Sequence, residues 1–160
     1  MASERQQPPY STYAALVGAF GLGMGGLAGL TSLRGRRPEQ LRPLDLAVLS
    51  AATFKLARTV AHDEVLSFLR EPFVQGEAHE GDEKPVEDGG TRQAIGELLT
   101  CSRCIAMWAA AGVVGLHTVA PRSGRLLTWS LAAAGANDFM QAGFSALAAK
   151  ANELERRGGG

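Results

Sequence analysis

Hydrophobic and polar positions divide the chain into four apolar runs joined by polar segments. The first run, 12–33, reads TYAALVGAFGLGMGGLAGLTSL and holds no charged residue. At about 1.5 Å per residue, some 20 helical residues cross a hydrocarbon core of about 30 Å. The run exceeds the ~7–15 apolar residues of a signal peptide, so it is expected to remain as an uncleaved span. The second run, 44–61, is apolar in its first half and carries Lys55 and Arg58 in its second. The third, 104–120, closes at Pro121. The fourth, 126–148, is apolar except for Asn137, Asp138 and Gln141. The pattern predicts an all-α polytopic membrane protein with about four transmembrane helices. Residues 12–148 then form a single helical membrane domain between an N-terminal tail, 1–11, and a C-terminal tail, 149–160.

The connections carry their own pattern. In 62–73, Val65, Leu66, Phe68, Leu69 and Phe73 are spaced for a short interfacial helix stopped by Pro72. In 74–90, Glu77, Glu80, Asp82, Glu83, Glu87 and Asp88 stand against Lys84 alone, broken by glycines. That composition predicts a solvated, disordered acidic loop, and its carboxylates lack the spacing of a calcium loop. Residues 91–99 return to an amphipathic helix. Two short basic turns, one with Arg34, Arg36, Arg37 and Arg42, the other with Arg122 and Arg125, hold six basic residues. The opposite side of a four-span topology holds eight, so the charge bias leaves orientation open.

Composition refines this picture in three places. A net charge of +0 and 6% aromatics give no footprint for nucleic acid. Gly21, Gly25 and Gly29 recur every fourth residue on one helix face, the pattern through which membrane helices pack closely. Lys55 and Arg58, three apart, also share a face. A charge at mid-bilayer costs about 2.5–3.5 kcal/mol on insertion scales. Lys55 or Arg58 is therefore expected to pair with Asp138 inside the bundle; a polar transport path through the three is the weaker alternative.

Both cysteines, Cys101 and Cys104, lie at the start of the third run with Arg103 between them. A helix start and a nearby cation both favour the thiolate. Three readings stay open: a structural turn or local disulfide, a redox pair, and half of a zinc site. A zinc site would be completed by His62, His79, a carboxylate or a second subunit. No phosphate-binding loop follows the glycines, because no Lys-Ser/Thr comes after them. No catalytic triad is evident, and no cofactor is expected.

Together, Thr53-Phe-Lys55-Leu-Ala-Arg58, Asp63, Leu69-Arg70-Glu-Pro72-Phe73, Gly96-Glu97-Leu-Leu-Thr100-Cys101-Ser-Arg-Cys104 and Trp108 resemble the bacterial membrane-protein family known as domain of unknown function 1360. Ala120-Pro121-Arg122 and Asp138-Phe139-Met-Gln141 are similar to its actinobacterial members. The likeness spans roughly 44–144. Members usually carry proline after the first cysteine, where this chain has Ser102. The resemblance implies a small polytopic membrane protein and no established activity. The expected role is a multi-pass, non-enzymatic protein of the bacterial cell membrane, embedded in the lipid bilayer and acting through assembly with itself or a membrane partner. The alternative is a membrane thiol–disulfide oxidoreductase, or a thiol or metal sensor, centred on Cys101 and Cys104.

Overall fold

A computed structural model describes residues 8–33 and 42–158. The basic connection at Arg34, Arg36 and Arg37 lies outside the described residues. Among the described residues six α-helices follow in order: α1 (Tyr10–Leu33), α2 (Pro43–His62), α3 (Ser67–Arg70), α4 (Thr91–Thr100), α5 (Ser102–Val119) and α6 (Pro121–Gly158). A two-stranded antiparallel ribbon, β1 (Val74–Gln75) and β2 (Lys84–Pro85), lies between α3 and α4.

Proline and acid set the helix starts. Pro43 occupies the first position of α2, where its missing N–H costs nothing. Asp45 accepts a hydrogen bond from the Arg42 N–H at 3.0 Å, satisfying a donor at the helix start. Pro121 does not merely stop α5. It also opens α6, which runs unbroken through Arg122, Arg125 and the C-terminal charges to Gly158.

The core is the mutual packing of α2, α5 and α6, and its contacts are made by small residues. Among the described residues every buried hydrophobic is alanine or valine, including Ala52, Ala57, Ala61, Ala109, Val113 and Ala132. Small side chains let helix axes approach closely, which glycine extends at two crossings. A Cβ at Gly135 on α6 would lie 3.1 Å from the Ala51 carbonyl of α2. A Cβ at Gly124 would lie 2.8 Å from His117 backbone atoms, so the α5–α6 corner requires glycine. Thr128 donates to the Gly124 carbonyl at 2.7 Å, so its oxygen accepts from the His117 Nε2–H, also at 2.7 Å.

Among the described residues two helices, not about four, are long and apolar enough to cross a membrane: α1 and α5. The correction falls on α2 and α6. Lys55, Arg58 and Asp45 in α2 lower its apolar content below that of a span. Asn137, Asp138 and Gln141, with the charged end of α6, do the same there. α1 lies near the N-terminus, where a signal sequence can also meet these criteria of length and apolarity, and none of its residues is buried.

Two connections also differ from expectation. The amphipathic stretch after α2 is three short turns rather than one helix: Glu64–Leu66, α3 and Glu71–Phe73. It does leave Val65, Phe68 and Leu69 exposed. The acidic composition of 74–90 predicts a solvated loop, yet it folds as the β1–β2 ribbon against α4. Val86 is buried, its N–H donating to the Phe73 carbonyl at 3.1 Å. Gly96 permits this packing, because a Cβ there would lie 2.4 Å from that same carbonyl.

Candidate functional site

Three polar or reactive groups stand out from the alanine-rich frame. The first begins where Lys55 on α2 faces α6. Its ammonium donates to Asp138 Oδ2 at 2.9 Å and lies 3.6 Å from Asp63 Oδ2. Thr59, one helical turn after Lys55, donates its hydroxyl to the same Asp63 oxygen at 2.7 Å. The Thr59 hydrogen bond, helped by the Lys55 cation, holds the Asp63 carboxyl below the usual carboxylate range against partial burial. Arg58 is exposed and adds only its charge beside Asp63. Phe54 and Phe139 stack at 5.2 Å, framing the pair on the outer side. One cation, two carboxylates and a hydroxyl thus form a closed cluster that ties α2 to α6.

The second group has no counterpart among the sequence candidates. Arg70, at the end of α3, is 0% exposed. Its Nε and Nη2 both donate to Glu83 Oε2, at 2.9 and 2.7 Å. Its Nη1 donates to the carbonyls of Val60 and Asp63, at 2.8 and 3.1 Å. One guanidinium therefore fixes the end of α2, α3 and the acidic segment together. Nearby, Arg92 of α4 donates twice to the Pro72 carbonyl, at 3.0 and 2.7 Å.

The third group is the cysteine turn between α4 and α5. Cys101 and Cys104 are joined as a disulfide across the first turn of α5, with Cα atoms 5.2 Å apart. Cys101 is the N-cap, and its Sγ accepts from the Cys104 N–H at 3.2 Å. Cys104 is exposed, whereas Cys101 is half-buried. Cys104 also lines a cleft of about 240 Å³ between α1, α4 and α5. Tyr13, Val17, Leu98, Met107 and Trp108 supply most of its other walls. Its polar corner is Glu97, which accepts from the Tyr13 hydroxyl and, at 2.9 Å, from Gln93 Nε2. Trp108 in turn meets Phe20 of α1 edge-on at 5.3 Å.

Among the described residues no group of three or more His, Cys, Asp or Glu side chains could hold a metal ion. The paired sulfurs leave no thiolate for zinc, and His79 turns to Glu77 instead, at 3.2 Å. The face of Gly21, Gly25 and Gly29 is open among the described residues, since a Cβ at any of them would meet nothing within 4 Å.

The family model described as "Protein of unknown function (DUF1360)" matches residues 48–144. The chain belongs to this family. The DUF1360 match contains the Lys55 cluster, the Arg70 anchor and the cysteine turn, and it begins after α1. One similar relative is the "Sporulation protein YjcA" of Bacillus subtilis (strain 168). It is 34% identical over 103 residues, which cover 58% of this chain and 83% of the relative. No solved structure matches the chain.

Proposed function

We propose that this DUF1360 protein is a membrane-anchored helical protein that acts through assembly, with itself or with a membrane partner, rather than by catalysis. One observation carries the reading: α1 is apolar along its length, has no buried residue, and leaves the Gly21, Gly25 and Gly29 face open. In water such a helix would gain little, since interior glycine costs about 1 kcal/mol relative to alanine. Beside another membrane helix the same face allows close backbone approach. α5 supports the reading too, contributing only Ala109 and Val113 to the buried core despite its apolar sequence.

Chemical cross-linking of the full chain in native membranes tests this. The wild-type protein is expected to give a cross-linked band above the monomer, and Gly25→Leu to lose it while keeping membrane yield. A wild-type chain that cross-links to nothing, or a Gly25→Leu variant that cross-links equally, contradicts the reading.

A specific observation favours a second reading, a thiol–disulfide element. Cys104 is the exposed residue of the pair, while Cys101 caps the helix N-terminus. An incoming thiolate bonding to Cys104 Sγ would break the Cys101–Cys104 bond. Cys101 would leave as a thiolate facing the Cys104 N–H, and such a stabilised leaving group speeds exchange. Thiol labelling in cells with and without reductant tests this. A pair that no thiol reagent or reductant reaches rules it out.

A further inference from the structure

The cleft between α1, α4 and α5 adjoins the disulfide, and neither reading above uses it. The geometry points to this cleft as the binding site of a quinone-class, membrane-soluble oxidant that takes electrons from the reduced Cys101–Cys104 pair. The inference rests on the thiol–disulfide reading and adds the electron acceptor.

Size, lining and position each narrow the occupant. About 240 Å³ is below the range of roughly 300–1,000 Å³ for drug-sized pockets, so the cleft suits one ring system. Val17, Leu98 and Met107 offer apolar walls, and Trp108 an aromatic face. Tyr13 and Glu97 form a single polar corner suited to a ring carbonyl or hydroxyl. The cleft lies between the two helices apolar enough for a bilayer, so a lipid-soluble tail can leave along their exposed surface. Cys104 on the wall gives the ring a redox partner at its edge.

The step balances. Two thiols lose two electrons and two protons as the Cys101–Cys104 bond forms, and one quinone gains both pairs to leave as quinol. Cys104 thiolate adds to a ring carbon, and a ring oxygen takes up a proton. Cys101 thiolate then attacks Cys104 Sγ, so the S–S bond forms as the S–C bond breaks, and the ring leaves with that electron pair and a second proton as quinol. Both cysteines are needed, and only Cys104 need touch the ligand.

The experiment uses the full chain in detergent micelles, reduced and then freed of reductant under anaerobic conditions. A short-chain, fully substituted benzoquinone is the probe, because without a ring hydrogen to lose its thiol adduct cannot settle into a stable thioether and must reverse or be displaced by the second thiolate. One quinone is expected to be consumed per chain as two thiols disappear, with concurrent quenching of Trp108 fluorescence read in a Trp129→Phe background. Val17→Trp, which fills the cleft, should slow that oxidation at least about tenfold. Oxidation by diamide, which needs no cleft, should be unchanged in the same variant and shows that fold and thiols are intact. A wild-type chain oxidised by quinone no faster than free dithiothreitol overturns the proposal, as does a Val17→Trp variant oxidised at the wild-type rate. If diamide also fails to re-form the disulfide, the thiol–disulfide reading falls with it. If diamide succeeds where quinone fails, only the quinone site falls.

Discussion

Arg70 shows what a single residue can hold. It is buried at 0% exposure, and its charge is met by Glu83 and two backbone carbonyls. Removing one partner of a buried pair leaves a charge without compensation, typically at a cost of about 3–5 kcal/mol. Glu83→Gln is therefore expected to destabilise the fold by about 3 kcal/mol in thermal unfolding. Glu80→Gln, an exposed carboxylate in the same segment, should stay within about 0.5 kcal/mol. Sequence did not reveal this pair because Glu83 is one of six carboxylates between 74 and 90. Nothing in composition separates the one that turns inward, and a charge beside Phe68 and Leu69 reads as the wet face of an amphipathic turn. Asp63 gives a prediction in pH. Its folded pKa lies below the ordinary value, chiefly through the Thr59 hydroxyl and then the Lys55 cation. It therefore stabilises the fold above the usual carboxylate range of about 4, and that contribution is lost as pH falls through the depressed value. Thr59→Val should lower the unfolding midpoint at neutral pH, with the gap to wild type narrowing below about pH 4. A gap independent of pH would count against the carboxylate as its source.

At the scale of elements, apolar periodicity located the long helices closely and misjudged the surroundings of two. The runs at 12–33, 44–61 and 104–120 correspond to α1 at Tyr10–Leu33, α2 at Pro43–His62 and α5 at Ser102–Val119. The fourth run lies inside a helix that starts earlier and ends later, because Pro121 fits a first helical turn and no breaker follows Ala148. Lys55 and Asp138 were legible as costly charges, and the structure places them 2.9 Å apart between α2 and α6. What the pattern could not supply is the ribbon against α4, since two-residue strands have no periodicity to detect. Gly96 is the signal that was available: a glycine inside an amphipathic helix implies close approach. Gly96→Ala would force a Cβ to within 2.4 Å of the Phe73 carbonyl. It should cost about 1–3 kcal/mol by overpacking. Gly112→Ala on α5, which meets nothing within 4 Å, should be neutral or stabilising by up to about 1 kcal/mol. Equal unfolding midpoints for the two variants would contradict the packing described.

For the whole molecule, a small-residue core leaves much apolar surface outside. Val17, Leu22 and Leu30 on α1 are exposed, as are Leu126, Phe139, Phe144 and Leu147 on α6. The buried alanines remove little apolar area from water, and hydrophobic stabilisation scales with that area. On the membrane-anchored reading proposed above, lipid covers the exposed apolar side chains of α1 and α5. Membership of DUF1360 fits a polar frame, from Lys55 to Asp138, that lies within the matched residues, with α1 added in front of it. The charge cluster and Arg70 fix the frame; the open α1 face and the cleft beside Cys104 are the surfaces proposed above to meet other molecules. The most direct test of this account is an alkaline carbonate wash of membranes from cells producing the full chain. The protein is expected to stay in the bilayer pellet, since α1 and α5 are held by apolar contact that high pH does not weaken. Release into the supernatant, as for a surface-bound protein, would contradict it.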